Sequence, residues 1–491
     1  MRLTFCELPS KRKTADIVIV PFWMEGAQVK MALSAKEFSS LSSVPIKAKD
    51  FLAKTEEIAL LYKPSGKEKR VLLLGLGRKQ DITLESLRRC YSTALRLARK
   101  KKWESVNFFF PEMGSENEKY SVAAIEGALL VNYAYDLLKR ETVKLDPTFL
   151  VKEIQCIGID EKTFASCKKQ ALVIESVQFT RDLINGNADD VTADVLASHA
   201  KEMAGGALKV KVLRKKELLK EKMGLLLAVN QGALKEPALI VLEYFGDPKS
   251  KDITAIVGKG ITYDTGGLNL KVGGSMDTMK CDMSGAAAVL GTIQAAKKLS
   301  LKCNIIGVIA SAENAIGPGS YKPGDVYISH SGKSVEINDT DAEGRLVLAD
   351  ALSYLQTHYS STRIIDLATL TGGVVVALGE EAAGLFCNDE TLAGNLIVAG
   401  EKTFERVWRL PLYSEYKDGL KSCIADMKNS GGRKASPCKG AAFLHQFIKK
   451  ETPWAHLDIA GTAYLTETRT YHPTLATGVG VRLLINFLES L

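Results

Sequence analysis

The chain has no apolar run of the length a membrane span requires. Its most apolar stretch, Val374-Val-Val-Ala-Leu378, is far shorter than the ~20 residues of a spanning helix and is followed by Glu380 and Glu381. The first ten residues, Met1-Arg-Leu-Thr-Phe-Cys-Glu-Leu-Pro-Ser10, contain no apolar core of the secretory kind. Neither a membrane partner nor export is therefore expected. No Cys-x-x-Cys occurs, and the nine cysteines are scattered and odd in number. That argues against a zinc–thiolate cluster and for reduced thiols in a cytoplasm. Histidine is scarce: the six, at 199, 330, 358, 445, 456 and 472, show no zinc-ligand spacing. His456, between Trp454 and Leu457, reads as a core residue, and His330 as a loop residue. Internal repeats and low-complexity tracts are also absent.

What is present is an ordinary globular composition, 46% hydrophobic and 25% charged, over 491 residues. That length exceeds what one core usually fills, so two domains are expected. The first part alternates strand-like runs (Asp16–Pro21, Val71–Gly75, Val106–Phe110) with amphipathic stretches (Thr83–Lys101, Ala123–Lys139). Such alternation predicts an α/β layer domain. Leu74-Gly-Leu-Gly77 lacks the full dinucleotide fingerprint and reads as a tight βα turn. Residues 161–185 read as one helix. Strands at Lys209–Leu213, Ala238–Glu243, Ile253–Val257, Asn304–Ala310 and Arg363–Leu367 then predict a larger C-terminal α/β domain. The division expected is 1–160 and 161–491. The net charge of +8 is partly local, as in Arg99–Lys102 and Lys215–Lys216. Without interleaved aromatics or a recognition helix, these runs read as solvated faces rather than a nucleic-acid surface.

The chemistry is concentrated in two segments. In Asn338-Asp-Thr-Asp-Ala-Glu-Gly-Arg345, Asp341 and Glu343 lie two apart, and Arg345 two further on. In an extended segment these three side chains share a face. Two carboxylates and a guanidinium converging before an apolar run suit hard divalent ions and an anionic transition state. The second segment runs from Ile253 to Gly285. It places Lys259 and Asp264 at the end of a buried strand, Lys271 in another Gly-rich stretch, and Asp282 where a carboxylate suits a helix N-terminus. Taken singly, each of these acids could serve as a cap or an ion-pair partner. Together they predict a site. Ser430–Pro437 is a loop that borders it.

Asp339-Thr-Asp-Ala-Glu-Gly-Arg345 closely resembles the signature of the leucyl aminopeptidases of the M17 metallopeptidase family, with Asp339 in place of the usual Asn. Gly258–Gly267, Asp366–Gly372 and Trp454–Gly461 are similar to further segments of that family, in the same order. The likeness is strong from about residue 170 onward and only general before it. The Asn-x-Pro-x-Asn of many members is here Asn185-Gly-Asn-Ala-Asp, without the proline.

The resemblance implies a cytosolic aminopeptidase acting on peptides with a free N-terminus, leucine and other bulky aliphatic residues preferred. It implies two divalent ions, manganese or zinc, and a homohexamer. Asp264 and Glu343 would bridge the ions, Asp341 would complete one site, and Lys259 and Asp282 the other. Lys259 ligates only as a neutral amine, which strand-end burial would favour. Lys271 would polarise the scissile carbonyl, and Arg345 would hold a bicarbonate acting as general base. The side-chain pocket would fall on Met279, Thr369, Leu370, Gly372, Ala460 and Ala463. Two rivals stand beside this reading. Carboxylates with Lys and Arg also suit a two-metal phosphoesterase, and some relatives have a DNA-binding architectural role.

Overall fold

The computed structural model describes residues 1–33, 50–63, 66–145 and 147–491. The chain forms two compact units, Met1–Glu175 with Glu467–Thr474, and Ser176–Thr466 with Leu475–Leu491. The division falls within the helix Glu161–Asn185.

The first unit is built on a seven-stranded sheet. Its path runs Arg2–Cys6, Glu153–Ile157, Ser105–Phe109, Ile17–Glu25, Arg70–Arg78, Ile58–Tyr62, with Gln28–Met31 beside Ile17–Glu25. The first five strands are parallel and the last two pairings antiparallel. Parallel strands covered on both faces need continuous apolar runs, and Ile17–Val20 and Val71–Leu74 are buried throughout. The helix Leu84–Lys100 buries Leu87, Tyr91, Ala94, Leu95 and Ala98 along one stripe. Thr83 caps it, accepting the backbone N–H of Ser86 at 3.1 Å.

Two expectations for this unit are corrected. Leu74–Gly77 is not a turn but part of the strand Arg70–Arg78. Its glycine serves close approach: a Cβ on Gly75 would lie 2.2 Å from the Lys54 carbonyl oxygen. The helix expected over 123–139 runs from Asn117 to Val131. Beyond it, the Asn132 amide pairs with both backbone groups of Val151, at 3.0 Å each, and so draws the chain out of helical register.

The second unit holds an eight-stranded mixed sheet. The order is Val407–Arg409, Ala383–Cys387, Trp454–Asp458, Arg363–Ala368, Ile253–Asp264, Asn304–Asn314, Ala238–Phe245, Leu208–Leu213. The four central strands, Trp454–Asp458 through Asn304–Asn314, are mutually parallel. Their C-terminal ends therefore open on the same side, where ligands bind in open α/β sheets. The strand expected over Ile253–Val257 continues to Asp264, with a register shift between Ile261 and Asp264. The helix Gly344–His358 is buried over nearly its whole length, and its apolar residues share the main core with Val257, Ile306 and Phe443. Among the described residues, no helix is long and apolar enough to cross a membrane.

Candidate active site

Four carboxylates and two lysines meet at the open ends of the parallel strands. Lys259 and Asp264 come from the strand Ile253–Asp264, and Asp282 from the short helix Met279–Met283. Asp341 and Glu343 come from the turn that enters the helix Gly344–His358. Carboxylate oxygens of Asp264, Asp341 and Glu343 lie within 4.8 Å of one another. The two acids of the signature thus converge as expected, but by a different route. The segment is not extended: Ala342 N–H donates to the Asp339 carbonyl, Asp341 N–H to the Asp339 side chain, and Glu343 already has helical backbone angles. Arg345 is consequently in the first helical turn rather than on a shared strand face.

Lys259 Nζ is buried among acceptors. It lies 2.8 Å from both Asp282 carboxylate oxygens, 2.9 Å from Glu343 Oε1 and 2.9 Å from the Thr369 carbonyl. Gly344 makes room for it, since a Cβ there would lie 2.5 Å from Lys259 Cε. Burial on its own depresses the ammonium. That much is as expected, but Asp282, Glu343 and Asp264 together outweigh burial and raise the Lys259 pKa, so the net effect keeps the ammonium. A metal ligated by Lys259 must displace a firmly held proton.

Lys271 Nζ bridges Asp264 Oδ2 at 2.8 Å and Asp341 Oδ1 at 2.5 Å. There too burial is outweighed by carboxylates, which hold the ammonium charged. Asp264 Oδ1 accepts from Gly266 N–H at 2.9 Å and from Asn314 Nδ2 at 2.8 Å.

Asp282 is not a helix cap. The helix Ser284–Leu299 has Met283 at its cap position with no side-chain bond. The Asp282 carboxylate turns instead to Lys259 and to Thr369 Oγ1, 2.7 Å away. Burial, joined by Asp264 and Glu343 and opposed by Lys259, holds its pKa well above the carboxylate range. The same balance raises Glu343 to about 7, burial first and Asp264 next, with Lys259 and Lys271 opposing. Asp341 is raised by burial and Asp264, against Lys271.

These shifts have one origin. Two ammoniums can neutralise only two of four clustered carboxylates. Like charges in a poorly solvated site repel strongly, and ionising all four needs further positive charge. Among the described residues, Glu343 Oε2 is buried with no hydrogen-bond partner, and Asp282 Oδ2 has only the ion-pair contact with Lys259. The donor set is oxygen-rich with hard, anionic ligands. It fits divalent cations.

Arg345 is buried beside the cluster. Its Nη1 donates to the Asn429 carbonyl at 2.9 Å, and its Nε has no partner among the described residues. Burial lowers its pKa, against Glu343, Asp339 and Asp458. Asn429 is the most important residue the sequence reading missed. Its Oδ1 accepts the N–H groups of Asn338 and Asp339, and its Nδ2 donates to the carbonyls of Asp339 and Ala342. Asn429 therefore holds the acidic turn through its buried side-chain amide and the guanidinium through its backbone carbonyl. Its only signal was its place just before the loop Ser430–Pro437, which meets the turn through the Asn338–Ser430 pairing. Thr340 and Asn314, which tie the turn to the Asp264 loop, were also missed.

The expected pocket residues are only partly joined. Thr369 touches Lys259 and Asp282 directly. Leu370 N–H and Ala460 N–H share Asp458 Oδ1 as acceptor, at 3.0 and 3.3 Å. Gly372 opens the helix Gly372–Leu378, and Ala463 is buried. Met279 starts the short helix that carries Asp282, and no hydrogen bond joins it to Thr369, Gly372 or Ala463 among the described residues. His456 is the core residue expected, buried with Nδ1 2.5 Å from Asp366 Oδ1. Arg99 is not part of a solvated face: its guanidinium donates to the carbonyls of Phe149 and Val131.

Largely buried, unbalanced carboxylates at the ends of parallel strands, flanked by Lys271 and Arg345, form a cluster suited to divalent cations. Residues 178–485 match the model of the cytosol aminopeptidase family catalytic domain, and residues 19–142 match that of its N-terminal domain. Related proteins include probable cytosol aminopeptidases of Protochlamydia amoebophila, 48% identical, and Chlamydia caviae, 46% identical. Each alignment covers 98% of this chain and 97% of the relative. Among solved structures, a mutant of tomato leucine aminopeptidase is similar with a TM-score of 0.87 and 29% identity, over 100% of this chain and 97% of that one. The bottromycin maturation enzyme BotP in complex with Mn is similar with a TM-score of 0.85 and 30% identity, over 97% and 99%. The chain belongs to the cytosol aminopeptidase family, and it is an aminopeptidase, a hydrolase with the two-domain α/β architecture of that family.

Proposed function

We propose that this enzyme releases N-terminal residues from peptides inside the cell, with leucine and other bulky aliphatic residues preferred. We further propose that residues 161–491 carry the catalysis, using two divalent ions, manganese or zinc, in a homohexamer. The observation that carries this reading is the cluster of three buried carboxylates and the more exposed Asp341 around two lysines, with an unfilled lone pair on Glu343. Asp264 and Glu343 would bridge the ions, Asp341 would complete one position, and Lys259 and Asp282 the other. When bound, such ions lower the pKa of water from 15.7 toward about 7 and so supply a nucleophile at neutral pH.

The chain's own groups do the rest. Asp282 would accept from the substrate's free α-amine, which would account for selection of N-termini. Lys271, held as an ammonium by Asp264 and Asp341, donates to the scissile carbonyl oxygen as negative charge develops there. Arg345 would hold a bicarbonate that takes and returns the proton, its unpartnered Nε being one available donor. Thr369, Leu370, Gly372, Ala460 and Ala463, small or apolar, with the flexible Met279, would receive an aliphatic side chain.

Hydrolysis of a leucine anilide and of its N-acetylated form tests this. The metal-stripped enzyme is expected to cleave only the free-amine substrate, and only after manganese or zinc is restored. Equal cleavage of the acetylated form, or turnover of phosphate esters alone, would overturn it. Light scattering tests the hexamer.

A further inference from the structure

Two histidines outside the carboxylate cluster meet a glutamate. His330 follows the strand Val326–Ile328, His358 ends the helix Gly344–His358, and Glu221 follows the helix Lys215–Lys220. One ligand atom from each lies within 4.8 Å of the others. His358 Nε2 is 3.1 Å and His330 Nε2 is 3.8 Å from the same atom, Glu221 Oε2. Two ligands bound to one tetrahedral ion at about 2.0–2.1 Å sit roughly 3.3 Å apart. The observed separations straddle that value, so small rotations would seat an ion.

The surroundings of His330 orient it for this. Its Nδ1 is 2.7 Å from Ser353 Oγ, which leaves Nε2 facing the glutamate. Its backbone N–H donates to Asp350 Oδ1 at 2.8 Å, and the other oxygen of that buried carboxylate accepts Leu225 and Leu226 N–H. Fixing one imidazole nitrogen so that the other is presented is how metal-bound histidines are held. Tyr354 supports the second ring, 4.2 Å from His358. Burial, with His358 adding and Glu221 opposing, keeps the His330 pKa below its ordinary value and so favours the neutral, coordinating form. The His330 side chain is 8% exposed, Glu221 26% and His358 36%, which leaves one side open to water and entering ions. Lys211 Nζ, bonded to Tyr354 Oη at 3.1 Å, is the opposing charge and will temper affinity.

We propose that Glu221, His330 and His358 form a divalent transition-metal site of the zinc type, separate from the catalytic cluster. Two imidazoles and one carboxylate suit zinc and disfavour magnesium or calcium, which take oxygen ligands. The site lies at the opposite end of the helix Gly344–His358 from Glu343, about 22 Å away at the usual rise per residue. It would staple that helix end to the two other elements.

The test counts zinc bound per chain by plasma mass spectrometry, on full-length protein stripped, reloaded with zinc and freed of excess. His358→Gln and Glu221→Gln are each expected to lose one zinc per chain relative to wild type, with leucine-anilide turnover changed by no more than about twofold. Asp341→Ala should lose catalytic metal and keep this ion. Both Gln variants alter partly exposed side chains, and either one alone suffices if the other folds poorly by circular dichroism. Equal zinc content in wild type and the folded variants would overturn the proposal.

Discussion

Each unit of this enzyme buries charge, and the two clusters differ in kind. In the first, Arg12 grips Glu68 with two bonds, Nε to Oε1 at 2.7 Å and Nη2 to Oε2 at 3.0 Å. Asn107 Nδ2 donates to Oε1 as well, and Arg12 Nη1 donates to the Pro9 carbonyl. One positive charge meets one negative charge, and both carboxylate oxygens are filled. In the second unit four carboxylates face two lysines, a carboxylate oxygen of Glu343 is unfilled, and three of the acids are pushed toward protonation. A saturated, balanced cluster holds a fold together. An unbalanced one is costly unless a cation completes it, and that excess is what a metallohydrolase requires.

The contrast can be broken by mutation. The largest effect is expected from Glu343→Ala or Asp341→Ala: peptide hydrolysis falls to background and metal binding weakens, while the fold survives. Full activity with a full metal complement in either variant would remove the site assignment. Glu68→Gln should do the reverse. It leaves Arg12 buried and underpaired and lowers unfolding free energy by about 3–5 kcal/mol, with turnover of the folded fraction unchanged. Urea denaturation alongside kinetics separates the two behaviours.

A smaller effect is expected at Asn429. Asn429→Ala releases the acidic turn and leaves their backbone groups unpaired. A loss of about 10–100-fold in kcat or metal affinity is predicted, as for supporting residues around metal sites. An unchanged kcat and metal affinity would reduce Asn429 to a packing residue.

The smallest effect is a pH dependence of the metal-stripped protein. Glu343 is raised from 4.5 to about 7, so its contribution to stability is present below 4.5 and lost as pH rises through about 7. The stripped protein should therefore lose Tm between about pH 4.5 and 7 more steeply than stripped Glu343→Gln. Parallel Tm profiles would mean that another group carries the charge imbalance.

Much of this was legible in the residues. Strands buried on both faces must be written as apolar runs, so Val71–Leu74, Ile253–Val257 and Arg363–Leu367 declared themselves. Lys259, Asp264, Asp282, Asp341 and Glu343 stood out because charge at strand ends among glycines has few structural uses, and all five meet. The path of the chain was less legible. A spacing of two suits a strand, yet Asp341 and Glu343 converge through a turn whose bonds run to Asp339 and Asn429. Asn429 acts through its amide and its carbonyl across some ninety residues of sequence, and an isolated asparagine carries no periodicity. His330 and His358 were set aside because zinc spacing was sought in sequence, whereas helix Gly344–His358 brings them together in space.

The most direct test removes the metal and returns it. Activity on leucine anilide and Tm are followed together as manganese is titrated into stripped enzyme. The account predicts that both start low and rise together, with a gain of about 2.7 kcal/mol in stability at a hundredfold excess over Kd for each ion bound. Full activity in enzyme without detectable metal would contradict it.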